Sequence, residues 1–562
     1  MLRVVLAALV CSAPAWADPA SYTYIAAGSQ HEWIAASAPL PQIEFGRLAA
    51  RLVEPRAAAA AAVPDDAGPD WGRAALAPAP FGSAKTATVV GDPARERVAA
   101  LYLRKTFQVG DELDRIRVLE LRARYQDGLV ARINDVEVAR RAIDAGAPPL
   151  RLASRTHGPE WESFYVAVRP GMLRAGDNVL ALEVRPSAAR LVPQIDVELT
   201  AREAERIVRG PIVGRVGTDR ATITFETDGA AVGEVRWGTA ASTYDHRLAG
   251  VPAMHHQFVL TDLPADATIH YQVAAGDEAG DDASFHTLAE RQPVVRFIVY
   301  GDVRTGHEVH AEIVKAALAE APDFVVTTGD MVLRGTDEAD WQRYFGVAGE
   351  LLAHVAVYPV VGNHDLGAAG DRERHLEEVF ALPDRPPDCP PGSAWYSFDV
   401  GGVHFVMLDS NRYDDDRQLA WMTADLERAH GARAIFAAAH HGPFARGPHG
   451  GESTAADRYV PVLARHHAAV FFSGHDHIYE HGRAGGITYV VSGGGGAPLY
   501  HARCGIPGRP ECHGRDRTDG MEAFSSAYHY VVVEVFRDDV RLCPKKPDGT
   551  PLDACFRVDL SR

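Results

Sequence analysis

Residues 294–304 read VVRFIVYGDVR, an apolar run closed by Gly301, Asp302 and Arg304. A short run of this kind, rich in β-branched residues and ended by glycine, is how a strand buried on both faces reads. The polar group that follows it then stands at the strand's end. The same pattern returns four times. DFVVTTGD leads to Asp330, VYPVVGNHD to Asn363, His364 and Asp365, AIFAAAHHGP to His440 and His441, and AAVFFSGHDH to His475 and His477. Between the first two, HEVHAEIVKAALAEA at 307–321 carries Val309, Ile313, Val314 and Ala317 at helical spacing. Strand–helix alternation predicts a layered α/β domain, in which ligands collect where strands end and loops begin.

The residue types gathered there suit a pair of metal ions. Carboxylates offset cation charge, imidazoles suit borderline metals, and the Asn carbonyl ligates without adding charge. Two adjacent metals hold a shared hydroxide at neutral pH and polarise phosphoryl oxygens, which points to metal-assisted hydrolysis of a phosphate ester. A single Asp after a strand is usually a cap or turn residue. The argument rests on five strand ends delivering such groups together. HFVMLDS at 404–410, ITYVVSGGGG at 487–496 and YHYVVVEVF at 528–536 are expected to complete the sheet, and the run Gly493–Gly496 allows close backbone approach to the site.

At 562 residues the chain exceeds one hydrophobic core, so two to four domains are expected. A formal charge of −18 argues against nucleic acid as a partner and leaves a small phosphorylated substrate open. Residues 1–17, MLRVVLAALVCSAPAWA, have Arg3, an apolar run and Ala15-Trp16-Ala17 before Asp18, the form of a secretory signal cleaved after Ala17. Export to the periplasm or the exterior follows. No stretch approaches the roughly 20 apolar residues of a membrane span. Export makes disulfides plausible, and spacing pairs Cys504 with Cys512 and Cys543 with Cys555, leaving Cys389 outside both pairs.

Residues 18–204 hold short alternating segments, YLRKTFQV at 102–109, VLELRARY at 118–125, LVARINDVEV at 129–138 and NVLALEVR at 178–185, separated by turn residues such as Gln126-Asp127-Gly128. The alanine run at 57–62, flanked by prolines, reads as a surface loop. The region resembles the galactose-binding-like jelly rolls appended to secreted hydrolases, which would imply a glycan contact. Residues 205–290 show a second all-β pattern, ATITFETD at 221–228, GEVRWGT at 233–239 and the stretch 256–276. With Leu260–Leu263, Pro264 and the Tyr271 strand, it resembles the fibronectin type III-like sandwich that precedes the catalytic domain of purple acid phosphatases and their bacterial relatives. His255 and His256 read as strand or surface residues.

Residues 291–562 resemble the calcineurin-like metallophosphoesterases in block order and spacing, which implies a four-layer α/β/β/α sandwich and two metal ions of Fe, Mn or Zn type. The expected fold class is therefore two N-terminal all-β sandwiches followed by that domain. The resemblance makes Asp302 a ligand of the first metal and Asp330 the bridge. Asn363, His440 and His475 bind the second metal, and His477 returns to the first. The choice between His440 and His441 turns on whether HHGP is aligned as H-H-P-P or H-x-P; His440 is taken. The family role of His364 is to stabilise the transition state or protonate the leaving oxygen, with Asp365 orienting it. Two departures stand out. Arg304 occupies the place of His in D-x-H, or of Gly in purple acid phosphatases, and Leu333 occupies the place of their iron-binding Tyr. The first metal thereby loses a ligand, and Arg304 becomes a candidate phosphate contact. His307 and His310 read as surface residues of a helix's first turn; Asn411 and His481 stand near strand ends.

The expected activity is phosphomonoester hydrolysis. A phosphodiesterase acting on nucleotide or lipid headgroups is the alternative among enzymes, and a glycan- or matrix-binding surface protein with a degenerate metal domain is the alternative outside them.

Overall fold

The computed structural model describes strands Ser21–Ile25, Ile34–Pro39 and Thr88–Val89. From residue 98 it describes all residues except 148–150, 159–160, 189–193, 277, 367–378, 384–385, 387–388, 390–393, 503–519 and 562. The expected signal, the alanine run, Cys504 and Cys512 lie outside the described residues. The chain divides into two compact units, Met1–Glu205 and Arg206–Arg562.

The first unit is built from two five-stranded sheets. One runs Ser21–Ile25, Gln194–Arg202, Val118–Tyr125, Trp161–Ala167, with Thr88–Val89 also on Gln194–Arg202; the other runs Ile34–Pro39, Val98–Val109, Gly176–Arg185, Gly128–Ile133, Val136–Arg141. Period-2 alternation explains their shared core. Leu119, Leu121, Ala123 and Tyr125 of one sheet join Leu129, Ala131, Ile133, Leu180, Leu182 and Val184 of the other in one apolar cluster. The segment LVARINDVEV is a hairpin rather than one strand. Asn134 and Asp135 both have positive φ, 47° and 71°, the backbone of a tight two-residue turn.

The second unit opens with six strands between Ile207–Gly214 and Ala283–His286, all joined in a single sheet. Its spine is the long strand Ala221–Gly238. The first half pairs with Ile207–Gly214 and the second with Thr268–Ala275, and the register shifts between Glu226 and Ala231 as it changes partner. This sheet is welded to the rest of the unit. Tyr271 donates its hydroxyl to Ala353 O at 2.8 Å, and Arg209 is clasped by Glu226 at 2.5 Å and Glu338 at 2.6 Å.

Beyond it lie two facing sheets. The six-stranded one holds Val295–Tyr300, Phe324–Thr327 and Ala356–Pro359 in parallel, with Tyr530–Val535, Asp539–Lys545 and Phe556–Asp559 added antiparallel. The seven-stranded one holds Val403–Met407, Ala434–Ala438, Val470–Ser473 and Ile487–Ser492 in parallel. The late strands therefore complete different sheets, where the sequence pattern suggested one.

Alternation along each strand separates the layers. Phe297, Phe324, Phe405, Phe436 and Phe472 meet between the sheets. The next residues outward, Ile298, Tyr300, Val325 and Val357, pack under helices His307–Ala319 and Glu338–His354. On the opposite side Val406, Ile435, Ala437 and Phe471 pack under Asp416–Arg428 and Val460–Arg465. Helix, sheet, sheet, helix is the result. The disulfide Cys543–Cys555 is formed as spacing suggested.

Candidate metal centre

The parallel strands of both sheets end on one edge, and the polar blocks begin there. Three of the residues leave their strands in the left-handed backbone region: Asp302 at φ 58°, Asp330 at φ 54° and His475 at φ 65°. Short polar residues tolerate this conformation best after glycine. The glycines beside them are required by contact. A Cβ on Gly362 would collide with Asp330 Oδ1, and one on Gly474 with Asp302 Oδ2.

Two adjoining groups of donor atoms result, with the atoms inside each within 4.8 Å of one another: Asp302, Asp330 and His477, and His440, His441 and His475. His440 places Nδ1 2.8 Å from Thr328 O, which fixes the proton there and turns a lone pair on Nε2 inward. That Nε2 lies 3.3 Å from Asp330 Oδ1 and 3.1 Å from Asn363 Oδ1. His477 is set the same way by Pro498 O at 2.7 Å, with Nε2 3.5 Å from Asp302 Oδ1. Acceptor atoms converge on acceptor atoms, the arrangement a cation resolves, so these residues fit a metal. His441 commits Nδ1 to Ser410 Oγ at 2.7 Å and its ring lies 4.2 Å from that of His475, so both residues of the His-His pair face the site.

Burial sets the protonation. It holds the His440 and His475 imidazoles well below the ordinary histidine range, each aided by neighbouring histidines, and brings His477 down to about 4. Neutral imidazole is the metal-binding form. Burial and then the Asp330 charge push the Asp302 carboxyl well up, the expected behaviour of paired buried carboxylates.

Asp365 works from behind. Its buried carboxylate accepts backbone N–H groups from Asp330 at 2.9 Å, Met331 at 2.8 Å, Val332 at 3.2 Å and Gly362 at 2.8 Å, tying the second block to the third. The His364 ring is set by Leu333 O, 2.7 Å from Nδ1, and the His364 backbone N–H donates to Asp330 Oδ1 at 3.0 Å. Leu333 thus serves His364 through its carbonyl.

Arg304 reaches into the first group. Its Nε is 3.4 Å from Asp330 Oδ2 and its Nη2 3.4 Å from His477 Nε2.

Two further residues flank the site without having been anticipated. Tyr500 stacks on His477 at 4.1 Å, and His449 lies 4.2 Å from the His475 ring. The His449 loop is pinned by Asp476, which accepts the backbone N–H of His449 at 3.1 Å and of Gly450 at 3.2 Å. Nothing in the Gly/Pro-rich sequence ARGPHGGE signals that placement.

Other histidines lie elsewhere. His310 is fully buried against Tyr300 and Tyr344, a core residue rather than the surface residue expected, because it shares the helix face of Val314 and Ala317. His256 stacks on Phe225, and His481 on Phe556. Asn411 supports the third block through Val361 O at 3.3 Å.

Residues 295–479 match the family model described as calcineurin-like phosphoesterase. Purple acid phosphatase 23 of Arabidopsis thaliana is 27% identical over 248 residues, 41% of this chain and 52% of that protein. Purple acid phosphatase 7 of the same plant is 25% identical over 208 residues, 32% of this chain and 61% of that protein. The chain thus spans only about half to three-fifths of the length of these relatives. In fold, the purple acid phosphatase from yellow lupin (Lupinus luteus) seeds superposes with a TM-score of 0.56 at 14% identity, covering 82% of this chain and 93% of that one. The chain carries a calcineurin-like metallophosphoesterase domain and is related to the purple-acid-phosphatase-like proteins.

Proposed function

We propose that this protein is an exported, metal-dependent phosphomonoesterase. The observation that carries the reading is the convergence of lone-pair atoms from Asp302, Asp330, Asn363, His440, His475 and His477 on one sheet edge. A bound metal supplies a nucleophile at neutral pH and charge for the phosphoryl oxygens. The family relationship implies a dinuclear centre, with Asp330 as the shared ligand and His440, His475 and Asn363 completing the second position.

The chain's own residues would do the rest. Asp365 holds the loops of Asp330 and His364 in register, and His364, oriented by the Leu333 carbonyl, presents its other ring nitrogen for proton delivery to the leaving oxygen. Arg304 offers N–H groups to substrate phosphate. We further read residues 1–17 as an export signal, 18–204 as a galactose-binding-like domain, 205–290 as fibronectin type III-like and 291–562 as the catalytic domain.

Hydrolysis of p-nitrophenyl phosphate, compared with its bis ester in the presence of Mn, Zn or Fe, tests the reading. Preference for the monoester is expected, preference for the bis ester makes the protein a phosphodiesterase, and hydrolysis of neither with any metal refutes an enzyme. Asp330→Asn and His364→Ala are expected to lose turnover while remaining folded.

A further inference from the structure

The two ligand groups differ in what already faces them. At the second, the inward lone pair of His440 Nε2 meets Asp330 Oδ1 at 3.3 Å and Asn363 Oδ1 at 3.1 Å, and the His475 ring completes the wall, 5.1 Å from that of His440. At the first, a cation is part of the chain. The Arg304 side chain is 14% exposed, and its guanidinium lies between Asp330 Oδ2 and His477 Nε2, 3.4 Å from each. His477 has its Nδ1 proton on Pro498 O, so the nitrogen facing Arg304 is the one that would otherwise bind a metal.

We propose that this protein holds a single tightly bound metal ion, at Asp330, Asn363, His440 and His475, and that the Arg304 guanidinium takes the place of the first metal between Asp330 and His477. The proposal rests on the phosphoesterase reading of the site and alters its stoichiometry. Charge favours it. Arg304 partly neutralises the Asp302 and Asp330 pair, and one divalent ion makes the cluster positive. A second ion would add two more charges beside a guanidinium that does not give up its proton. Ligand supply agrees, because Arg304 and Leu333 fill the places from which relatives contribute imidazole or phenolate. Reaching the remaining donors, Asp302, Asp330 and His477, would require the guanidinium to leave.

The test counts metal. Purified full-length protein is stripped with chelator, reloaded with excess Mn(II) or Zn(II), desalted and analysed by plasma mass spectrometry. One ion per chain is expected for the wild type and two for Arg304→His, which supplies an imidazole in that place. His440→Ala is expected to lose the wild-type ion and Asp302→Asn to keep it. Two ions in the wild type overturn the proposal, as does loss of the ion from Asp302→Asn with retention in His440→Ala. If Arg304→His fails to fold, the wild-type count and the other two variants still decide. Hydrolysis of p-nitrophenyl phosphate by the same samples is scored separately. Activity with two ions bound overturns the inference and leaves the phosphoesterase reading standing, whereas one ion with no hydrolysis does the reverse.

Discussion

Asp365 should be worth more to this protein's stability than any side chain of its size on the surface. Its carboxylate is 3% exposed and accepts four backbone N–H groups, from Asp330, Met331, Val332 and Gly362, none longer than 3.2 Å. Asp365→Ala removes all four acceptors at once. Each buried donor left unsatisfied costs about 1–3 kcal/mol. Partial relaxation and entry of water into the vacated volume recover some of this, so a loss of about 3–5 kcal/mol is expected. Asp365→Asn keeps the shape and one acceptor oxygen, but turns an NH2 group on donors that cannot accept from it, for an expected loss of about 2–3 kcal/mol. Urea unfolding of the chelated proteins, followed by tryptophan fluorescence, measures both without interference from bound metal. Because the same carboxylate sets the Asp330 and His364 loops, turnover of p-nitrophenyl phosphate should fall in both variants even at temperatures where they are fully folded. An Asp365→Ala chain within about 0.5 kcal/mol of the wild type would refute the reasoning, since that is the range of an ordinary surface change.

Two more predictions concern parts away from the site. Burial alone would lower the His404 pKa, but hydrogen bonds to Asp399 and Asp425, both 2.9 Å away, overcome it and raise the group to about 9. A raised folded-state pKa contributes stability that is complete below the unfolded value of about 6.5 and is lost as pH climbs through about 9. With Asp399 in solvent, about 1–2 kcal/mol should disappear over that window, and the decline should vanish in His404→Gln when melting is followed from pH 6 to 10. Arg209 sits buried over the Phe345 ring at 4.5 Å and bridges Glu226 to Glu338. Arg209→Ala strands both carboxylates at the seam between the six-stranded sheet of residues 207–286 and helix Glu338–His354, and should cost about 3 kcal/mol by urea unfolding; an unchanged midpoint would show the seam is held by apolar packing alone.

The layered domain is legible in the sequence because its signals are local. Each buried parallel strand is a continuous apolar run, and each ends in the glycine and polar residue that the edge requires, so order along the chain already implied order in space. Long-range pairing leaves no such local signal. TDGAAVG at 227–233 reads as a turn between two strands, yet one strand runs through it, with a register shift at Glu226–Ala231, and all six strands form a single sheet. His310 was recoverable, since it shares the spacing of Val314 and Ala317; its polarity hid it. The Arg304 position was visible only as a departure from relatives. That its guanidinium falls between Asp330 and His477 depends on side-chain geometry that no spacing encodes, and the same is true of His449, placed by a loop whose anchor is Asp476, a block away.

The edge also shows how the fold trades stability for placement. Asp302, Asp330 and His475 are all held at positive φ, a conformation costing roughly 1 kcal/mol or more for a residue with a side chain. Glycine at any of the three would relieve that cost and remove the donor atom. The surroundings compensate through the backbone: Asp302 N donates to Gly329 O at 2.8 Å, His475 N donates to the Asp302 carboxylate at 3.1 Å, and Asp365 takes the N–H of Asp330. Each strained residue is thus fixed by a bond to another block of the same edge. The blocks hold one another, which keeps carboxylates and imidazoles converged and is why removing a residue such as Asp365 should disturb stability and turnover together.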